Sequence, residues 1–243
     1  MVIDHAAVGL IEQSELASGV AWSLCGTAMR LVGRVAFPLF AFMIAEGAVH
    51  TRDRRWYALR LLLLAVISEI PFDLVAGGTW LFPADQNTVF TLLLGLLAIW
   101  AGDLICGTGP GVSYGTREKT GDGGRKAVGQ RRFPLEYERY IRVLAAVPFG
   151  LAAYCLKTDY GFMGVLLIVI LYTLRTEPQL RTAVCAVFLF CMYMDFYGAA
   201  ACVAIFLINR YNGEKGGGNG RIFYLFYPLH LLVIRGIKMA VGL

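Results

Sequence analysis

Hydrophobic residues of this chain form long runs that are separated by short polar stretches. A helix that crosses a bilayer needs about 20 apolar residues. Runs of this kind predict transmembrane helices at 31–49, 57–75, 88–106, 140–156, 160–175, 181–195, 196–210 and 221–240. Residues 1–11 are also apolar, but at about 1.5 Å per residue they would cover only about 17 Å. The pattern predicts an all-α, polytopic helix bundle of about nine passes, the first of them partial.

Lysine and arginine residues give this bundle a predicted orientation. They cluster around 52–60, 117–142, 175–181 and 210–221, whereas the loops near 12–20, 76–87, 157–159 and 195–197 contain only Lys157. Short loops rich in lysine and arginine stay in the cytoplasm. We therefore expect a cytoplasmic N-terminus and an external C-terminus, in one membrane domain over 1–243 with a flexible, basic cytoplasmic loop at about 107–138.

Composition agrees with a membrane location. Hydrophobic residues make up 58% of the chain and charged residues only 16%, whereas a soluble domain carries about 25% charged residues. The net charge of +5 comes mainly from the basic loops, so it argues little for nucleic-acid binding. The six cysteines lie mostly in or beside apolar runs without CxxC spacing, which favours small buried side chains over disulfides or metal ligands.

Ionisable residues inside apolar runs are candidate site residues, because hydrocarbon tolerates them only against protein or trapped water. Near the N-terminus, His5 has a side chain suited to general-base catalysis at physiological pH. Its neighbour Asp4 lies about 100° around the helix and must therefore meet another helix, where Arg34 is the predicted cation. A helix-end pair hydrated by the cytosol accounts for Asp4 and His5 equally well.

Glu46 and His50 share a helix face, because they are four residues apart at the end of a predicted span. They form either a local ion pair that closes the span or, with Arg34, a partly aligned polar stripe. A zinc site needs three or four converging ligands. Three widely separated histidines without an HExxH motif do not provide them, so no metal is predicted.

Glu69 and Asp73 also share a helix face, which is destabilising unless one is protonated or a cation lies between them. Pro71 between them predicts a kink or an unwound turn. Polar residues across the next short loop would complete an outward-facing pocket for a positively charged group such as an amine: Gln86, Asn87 and Thr91. A helix terminus with hydrated carboxylates is the alternative.

Two further polar residues have a structural and a functional interpretation. Asp159 precedes an apolar run, where an aspartate typically caps the free N–H groups of a helix. His230 follows Pro228 within a predicted span. It is either a site residue or a histidine bonded to a carbonyl that the proline leaves free.

Taken together, these strings resemble the TraX family of membrane proteins. The matching strings cover nearly the whole chain outside the 107–138 loop: Asp4-His5, Gly33-Arg34 through Glu46-Gly47 with His50-Thr51-Arg52, Ser68-Glu-Ile-Pro-Phe-Asp-Leu74, Gln86-Asn87 with Phe90-Thr91-Leu-Leu-Leu-Gly95, Asp159-Tyr160-Gly161 and Tyr227-Pro228-Leu229-His230. The namesake of the family is associated with N-acetylation of conjugative pilin, and the family resembles polytopic acyltransferases that use acetyl-CoA.

The resemblance implies a multi-pass acyltransferase of the bacterial inner (cytoplasmic) membrane. Such an enzyme moves an acetyl or other acyl group from acyl-CoA to an amine or hydroxyl acceptor, for which a pilin-like N-terminus is one candidate. His5 is then the general base and Asp4 and Arg34 complete the catalytic set. Acceptor binding is assigned to Glu69, Asp73, Gln86, Asn87 and Thr91, and binding of acyl-CoA to Glu46, His50, Arg52, Arg60 and His230. Membrane lipid is the other expected partner.

Two other classes of function stay open. A proton-coupled small-molecule transporter also places carboxylates and histidines at membrane depth, although such proteins often contain inverted repeats and no internal duplication is evident here. A non-enzymatic assembly factor for pili or envelope proteins would use the helices as a docking surface.

Overall fold

The computed structural model describes residues 1–12, 19–108, 132–194, 196–214 and 220–242, and within them the regular structure is helical. The first helix, α1 (Val2–Ala6), continues as a π-helical segment, Ala7–Glu12. The others are α2 (Val20–Gly33), α3 (Ala36–His50), α4 (Arg54–Ala76), α5 (Thr88–Cys106), α6 (Leu135–Cys155), α7 (Gly161–Thr173), α8 (Pro178–Tyr193), α9 (Phe196–Asn209) and α10 (Gly220–Val241). This confirms the predicted all-α class for the described part of the chain.

Most predicted spans coincide with a helix, and α5 occupies the predicted 88–106. Asn87 explains where α5 begins, because its side chain accepts the backbone N–H of Val89 at 2.9 Å. Gly107 explains where it ends, because its φ of 71° is left-handed backbone that glycine adopts without strain. The helix α4 also runs through Pro71 without an unwound turn, whereas the predicted kink there stays a prediction.

The prediction of one span at 31–49 is wrong at its start. A separate helix, α2, precedes it, and the turn at Arg34 and Val35 joins α2 to α3. The polar side chain of Arg30 interrupts the apolar pattern of α2, but it is neutralised inside the protein by Asp4 at 3.0 Å. The loop predicted at about 107–138 ends earlier than expected, because residues 135–138 belong to α6. Residues 109–131 of this predicted loop lie outside the described residues.

Three helical stretches of the described residues are long and apolar enough to cross a bilayer: Val20–His50, Thr88–Cys106 and Tyr224–Val241. The apolar helices α7, α8 and α9 are shorter, with 13, 16 and 14 residues. The chain is therefore a membrane protein, whereas the predicted nine passes and their orientation are not established by these lengths.

The core lies where α3, α5 and α7 pack together. The side chains of Phe37, Leu96 and Ile168 are at most 2% exposed there. At Gly95 a side chain would collide with Ile168, so this glycine lets α5 approach α7 closely. The central helices thereby hold both ends of the bundle in fixed positions.

Each end of the bundle is named after a residue that lies there. The Arg54 end is where α3 gives way to α4 and where α5 finishes, and the Asp159 end is where the 77–87 loop meets the α6–α7 connection. At the Arg54 end, the buried carboxylate of Asp103 lies 2.8 Å from Arg54, 3.2 Å from Arg142 and 2.6 Å from the Tyr172 hydroxyl. This network joins α4, α5, α6 and α7 and was not predicted from the sequence.

Candidate functional site

Two histidines that are 225 residues apart in the chain meet near the Asp159 end. His5 in α1 and His230 in α10 are both buried, and the His5 Nδ1 lies 3.1 Å from the His230 Nε2. The Nδ1 of His230 lies 3.0 Å from the backbone carbonyl of Phe226, one turn earlier in α10. His230 therefore lies beside His5 in the structure. It does not lie with Glu46 and His50, with which the sequence analysis grouped it.

His5 lines a charged cavity of about 300 Å³. We call it the histidine cavity; its polar lining consists of Asp4, His5, Arg30, Arg34, Asp85 and Asp159. Its apolar lining comes from Val8, Phe72, Val75, Ala76 and Leu231. Three acidic side chains and two arginines therefore meet beside His5, and an ionised carboxylate in such a cavity favours a cationic ligand. The three residues predicted to be catalytic are thus brought together in one cavity.

Arg30, rather than the predicted Arg34, makes the ion pair with Asp4. The Arg30 Nη1 lies 3.0 Å from the Asp4 Oδ1, and its Nε lies 3.4 Å from Glu12. A side chain at Gly33 would occupy the space of Asp4, so the glycine is what allows α1 to lie against α2. Arg30 could have been identified from the sequence, because it precedes Arg34 by one helical turn. It was missed because it lies outside the predicted span.

Aromatic side chains hold Arg34. Its Nη1 lies 3.4 Å from the Tyr160 hydroxyl, and the guanidinium carbon is 5.3 Å from the ring centre of Tyr193 and 5.4 Å from that of Tyr197. Cation–π contacts of this length hold a cation without neutralising it. Among the ion pairs of the described residues none involves Arg34, although the carboxylates of Asp4 and Asp159 line the same cavity.

Asp159 contributes to the cavity and does not cap α7 as predicted. The N-cap position is Tyr160, whose φ of 65° is left-handed, and the Asp159 carboxylate accepts the hydroxyl of Thr88 at 2.6 Å. Loss of hydration raises the pKa of Asp159, an effect that the Thr88 hydrogen bond and the positive charge of Arg34 partly offset. Asp159 is therefore a protonatable group in the cavity wall, whereas the sequence favoured a capping role for it.

The residues predicted to bind an acceptor lie close to the histidine cavity but not in its lining. They hold the 77–87 loop and the α6–α7 connection in place. The Asn87 side chain donates to the carboxylate of Glu69 and, at 2.8 Å, to the Ala65 carbonyl, while Asp73 accepts the Phe82 N–H at 3.0 Å. The backbone of Gln86 pairs with the 157–159 segment, and the Thr91 hydroxyl lies 2.8 Å from that of Thr158. Their part in acceptor binding stays a prediction.

The residues predicted to bind acyl-CoA are divided by the fold. Glu46 and His50 line a cavity of about 880 Å³ at the Arg54 end, and their side chains are 3.5 Å apart. Arg52 and Arg60 are exposed and do not line it. Two residues missed in the sequence, Arg210 and Glu214, do.

A third cavity, of about 260 Å³, has a mostly apolar lining. Its lining shares Met43 with the larger cavity at the Arg54 end, and it includes Tyr227, whose ring lies edge-on to His5 with centres 6.3 Å apart. Leu61 and Leu92 contribute to its apolar walls. This cavity is thus linked to the larger one by a shared residue and to the His5 ring by a contact.

Comparison with known proteins identifies related sequences. A family model described as TraX protein matches residues 1–106 and 134–238. The chain is 25% identical over 263 residues to the probable fimbrial assembly protein FimC, serogroup H1, of Dichelobacter nodosus, covering 98% of this chain and 91% of the relative. No solved structure matches the chain. The residues matched by the family model include both buried histidines and the whole lining of the histidine cavity.

Proposed function

The chain belongs to the TraX family, and from this premise we propose that it serves the assembly of a pilus- or fimbria-type surface protein by transferring an acyl group in the bacterial inner membrane. The printed name of the Dichelobacter nodosus relative, a probable fimbrial assembly protein, supports the assembly role. The observation that carries the chemistry is the meeting of His5, Arg34 and three carboxylates in one cavity. A base, a cation and a site for an amine are the groups that acyl transfer to an amine requires.

In this reaction the acceptor occupies the histidine cavity. The carboxylates attract the acceptor amine in its protonated form, and the amine reacts in its neutral form. A hydroxyl acceptor reacts through its oxygen in the same way. As its nitrogen or oxygen bonds to the thioester carbonyl carbon, His5 accepts the proton that is lost. The Arg34 guanidinium stabilises the negative charge on the carbonyl oxygen. The C–S bond then breaks, and the proton passes from His5 to the departing thiolate.

Donor access follows from the links between the cavities. The concentration of lysine and arginine in the loops of the Arg54 end supports a cytoplasmic location for that end, on the side where acyl thioesters are available. The cavity of about 880 Å³ at that end is large enough for a sizeable ligand. From it the slender arm of a thioester would pass Met43 and enter the apolar cavity, whose lining residue Tyr227 lies edge-on to His5. The acceptor would arrive from the opposite side.

The test uses purified protein in nanodiscs with radiolabelled acyl-CoA of several chain lengths and a panel of peptides with a free N-terminus. We expect loss of thioester only when an acceptor is present, and at least a 100-fold slower transfer by His5→Gln, because a general base contributes about 10²–10⁴-fold. Binding of the thioester should be retained. A His5→Gln protein that is folded, binds acyl-CoA and transfers at the original rate would refute the mechanism.

A non-enzymatic assembly factor is the second candidate, and the name of the fimbrial relative supports it better than it supports acyl transfer, because that name refers to assembly alone. It predicts that fibre assembly depends on surface residues and not on His5. Assembly measured in cells that produce His5→Gln at normal levels separates the two. Unchanged assembly, together with no acceptor-dependent loss of thioester in nanodiscs, would support the docking role.

A further inference from the structure

The hydrogen bonds of the histidine pair determine which ring nitrogens carry protons. The Phe226 carbonyl only accepts, so the Nδ1 of His230 carries the proton of the 3.0 Å bond between them. In neutral His230 the Nε2 is then an acceptor. The His5 Nδ1, 3.1 Å from that Nε2, must therefore be the donor. It follows that the Nε2 of neutral His5 has no proton and can accept one.

We infer that His230 is a positioning residue that holds His5 as its Nδ1–H tautomer, with Nε2 as the basic atom. The inference deepens the proposed function and rests on it for its catalytic meaning. His230 is not part of the lining of the histidine cavity, so it acts through His5. The same logic applies wherever a hydrogen bond to one imidazole nitrogen sets the role of the other.

Packing fixes the two rings as well as their protons. The rings of His5 and His230 are nearly parallel, with an interplanar angle of 8° and centres 5.2 Å apart. Phe72 meets the edge of His5 at 6.3 Å, Tyr227 meets the edge of His230 at 5.5 Å, and Phe226 stacks on His230 at 5.4 Å. A ring held on several sides cannot easily rotate to exchange its nitrogens, so the hydrogen-bond order is maintained.

The direct test is nitrogen NMR of the protein in nanodiscs with ¹⁵N-histidine, in which the His5 signals are assigned by their loss in His5→Gln. We expect His5 at neutral pH to carry its proton on Nδ1, and we expect His230→Ala to restore the Nε2–H form that imidazole prefers in water. His230→Gln keeps an acceptor oxygen for the His5 Nδ1–H and should retain more of the Nδ1–H form than His230→Ala. An Nε2–H signal for His5 in the original protein would overturn the inference.

Kinetics supply a second readout. In His230→Ala we expect kcat to fall by about 100-fold, within the range for general bases, with little change in KM and with a shifted pH–rate profile. Partial recovery in His230→Gln is expected as well. If the Nδ1–H form is found but the protein consumes no thioester, the proposed function fails and the tautomer assignment stands. If His230→Ala keeps both the tautomer and the rate, the inference fails.

Discussion

Asp103 offers the sharpest test of how the Arg54 end is held together. Its carboxylate is 1% exposed and receives Arg54, Arg142 and the Tyr172 hydroxyl within 3.2 Å. The substitution Asp103→Asn keeps the shape of the side chain but leaves Arg54 facing a neutral group, whereas Arg142 keeps its contact with Glu138 at 3.6 Å. Since Arg54 is itself only 6% exposed, water cannot hydrate its guanidinium in place of the lost carboxylate charge.

We expect this substitution to lower the free energy of unfolding by about 3–5 kcal/mol, the usual effect of removing one partner from a buried ion pair. The matched control is Arg139→Gln. It breaks the contact between Arg139 and Glu177, whose side chains are 37% and 39% exposed. Exposed pairs are worth about 0–1 kcal/mol. Two ion pairs at the same end of the bundle should thus differ several-fold in their effect.

The assay is equilibrium unfolding in mixed micelles of increasing denaturing detergent, followed by helix content. Asp103 does not line the histidine cavity, so the folded Asp103→Asn protein should keep its thioester consumption. Equal destabilisation by Asp103→Asn and Arg139→Gln would refute the conclusion that the Asp103 network stabilises the fold. Full stability with lost activity would instead place Asp103 in the functional site.

Three further predictions concern the Asp159 end and the apolar cavity. Because the folded-state pKa of Asp159 is raised, its contribution to stability is present below the pKa of the unfolded state and is lost as the pH rises through the folded value; Asp159→Asn should flatten that decline in Tm, and an unchanged profile would contradict it. Leu61→Trp should fill the apolar cavity and raise the KM for acyl-CoA, whereas the neighbouring Leu62→Trp, on an exposed position, should not. Gly33→Ala should destabilise by about 1–3 kcal/mol through overpacking, whereas Gly236→Ala meets open space and should be neutral or slightly stabilising in the same unfolding assay.

Sequence patterns predicted those parts of the fold that depend on neighbours along the chain. The apolar run of α5 and its bounding residues, Asn87 and Gly107, are local features, and the helix was predicted at its observed bounds. The helix α2 was missed because Arg30 interrupts its apolar pattern. The ion pair that makes Arg30 acceptable there lies on α1 and cannot be read from the sequence around Arg30.

For the candidate site, too, the sequence predicted only what depends on neighbours along the chain. Membrane depth identified His5, Arg34 and His230 as candidates from the apolar runs around them, but their mutual arrangement depends on how α1, α2 and α10 pack. The pairing of His5 with His230 joins residues from the two ends of the chain. Asp159 was assigned to helix capping because its local context allows a cap, and only the contact with Thr88 places it in the cavity wall.

If the protein transfers an acyl group as proposed, the separation of the two predicted groups of site residues restricts the kind of donor that it can use. Arg34 lies at the start of α3 and His50 at its last residue, so about 16 residues of helix at about 1.5 Å each place their backbones roughly 24 Å apart. No small donor contacts both groups at once. A donor bound by Glu46 and His50 would therefore carry its reactive carbon on a long, narrow arm, and the cavity lined by Met43 and Tyr227 is the proposed path for that arm. A donor without an arm would have to bind wholly within the histidine cavity, and Leu61→Trp would then leave its KM unchanged.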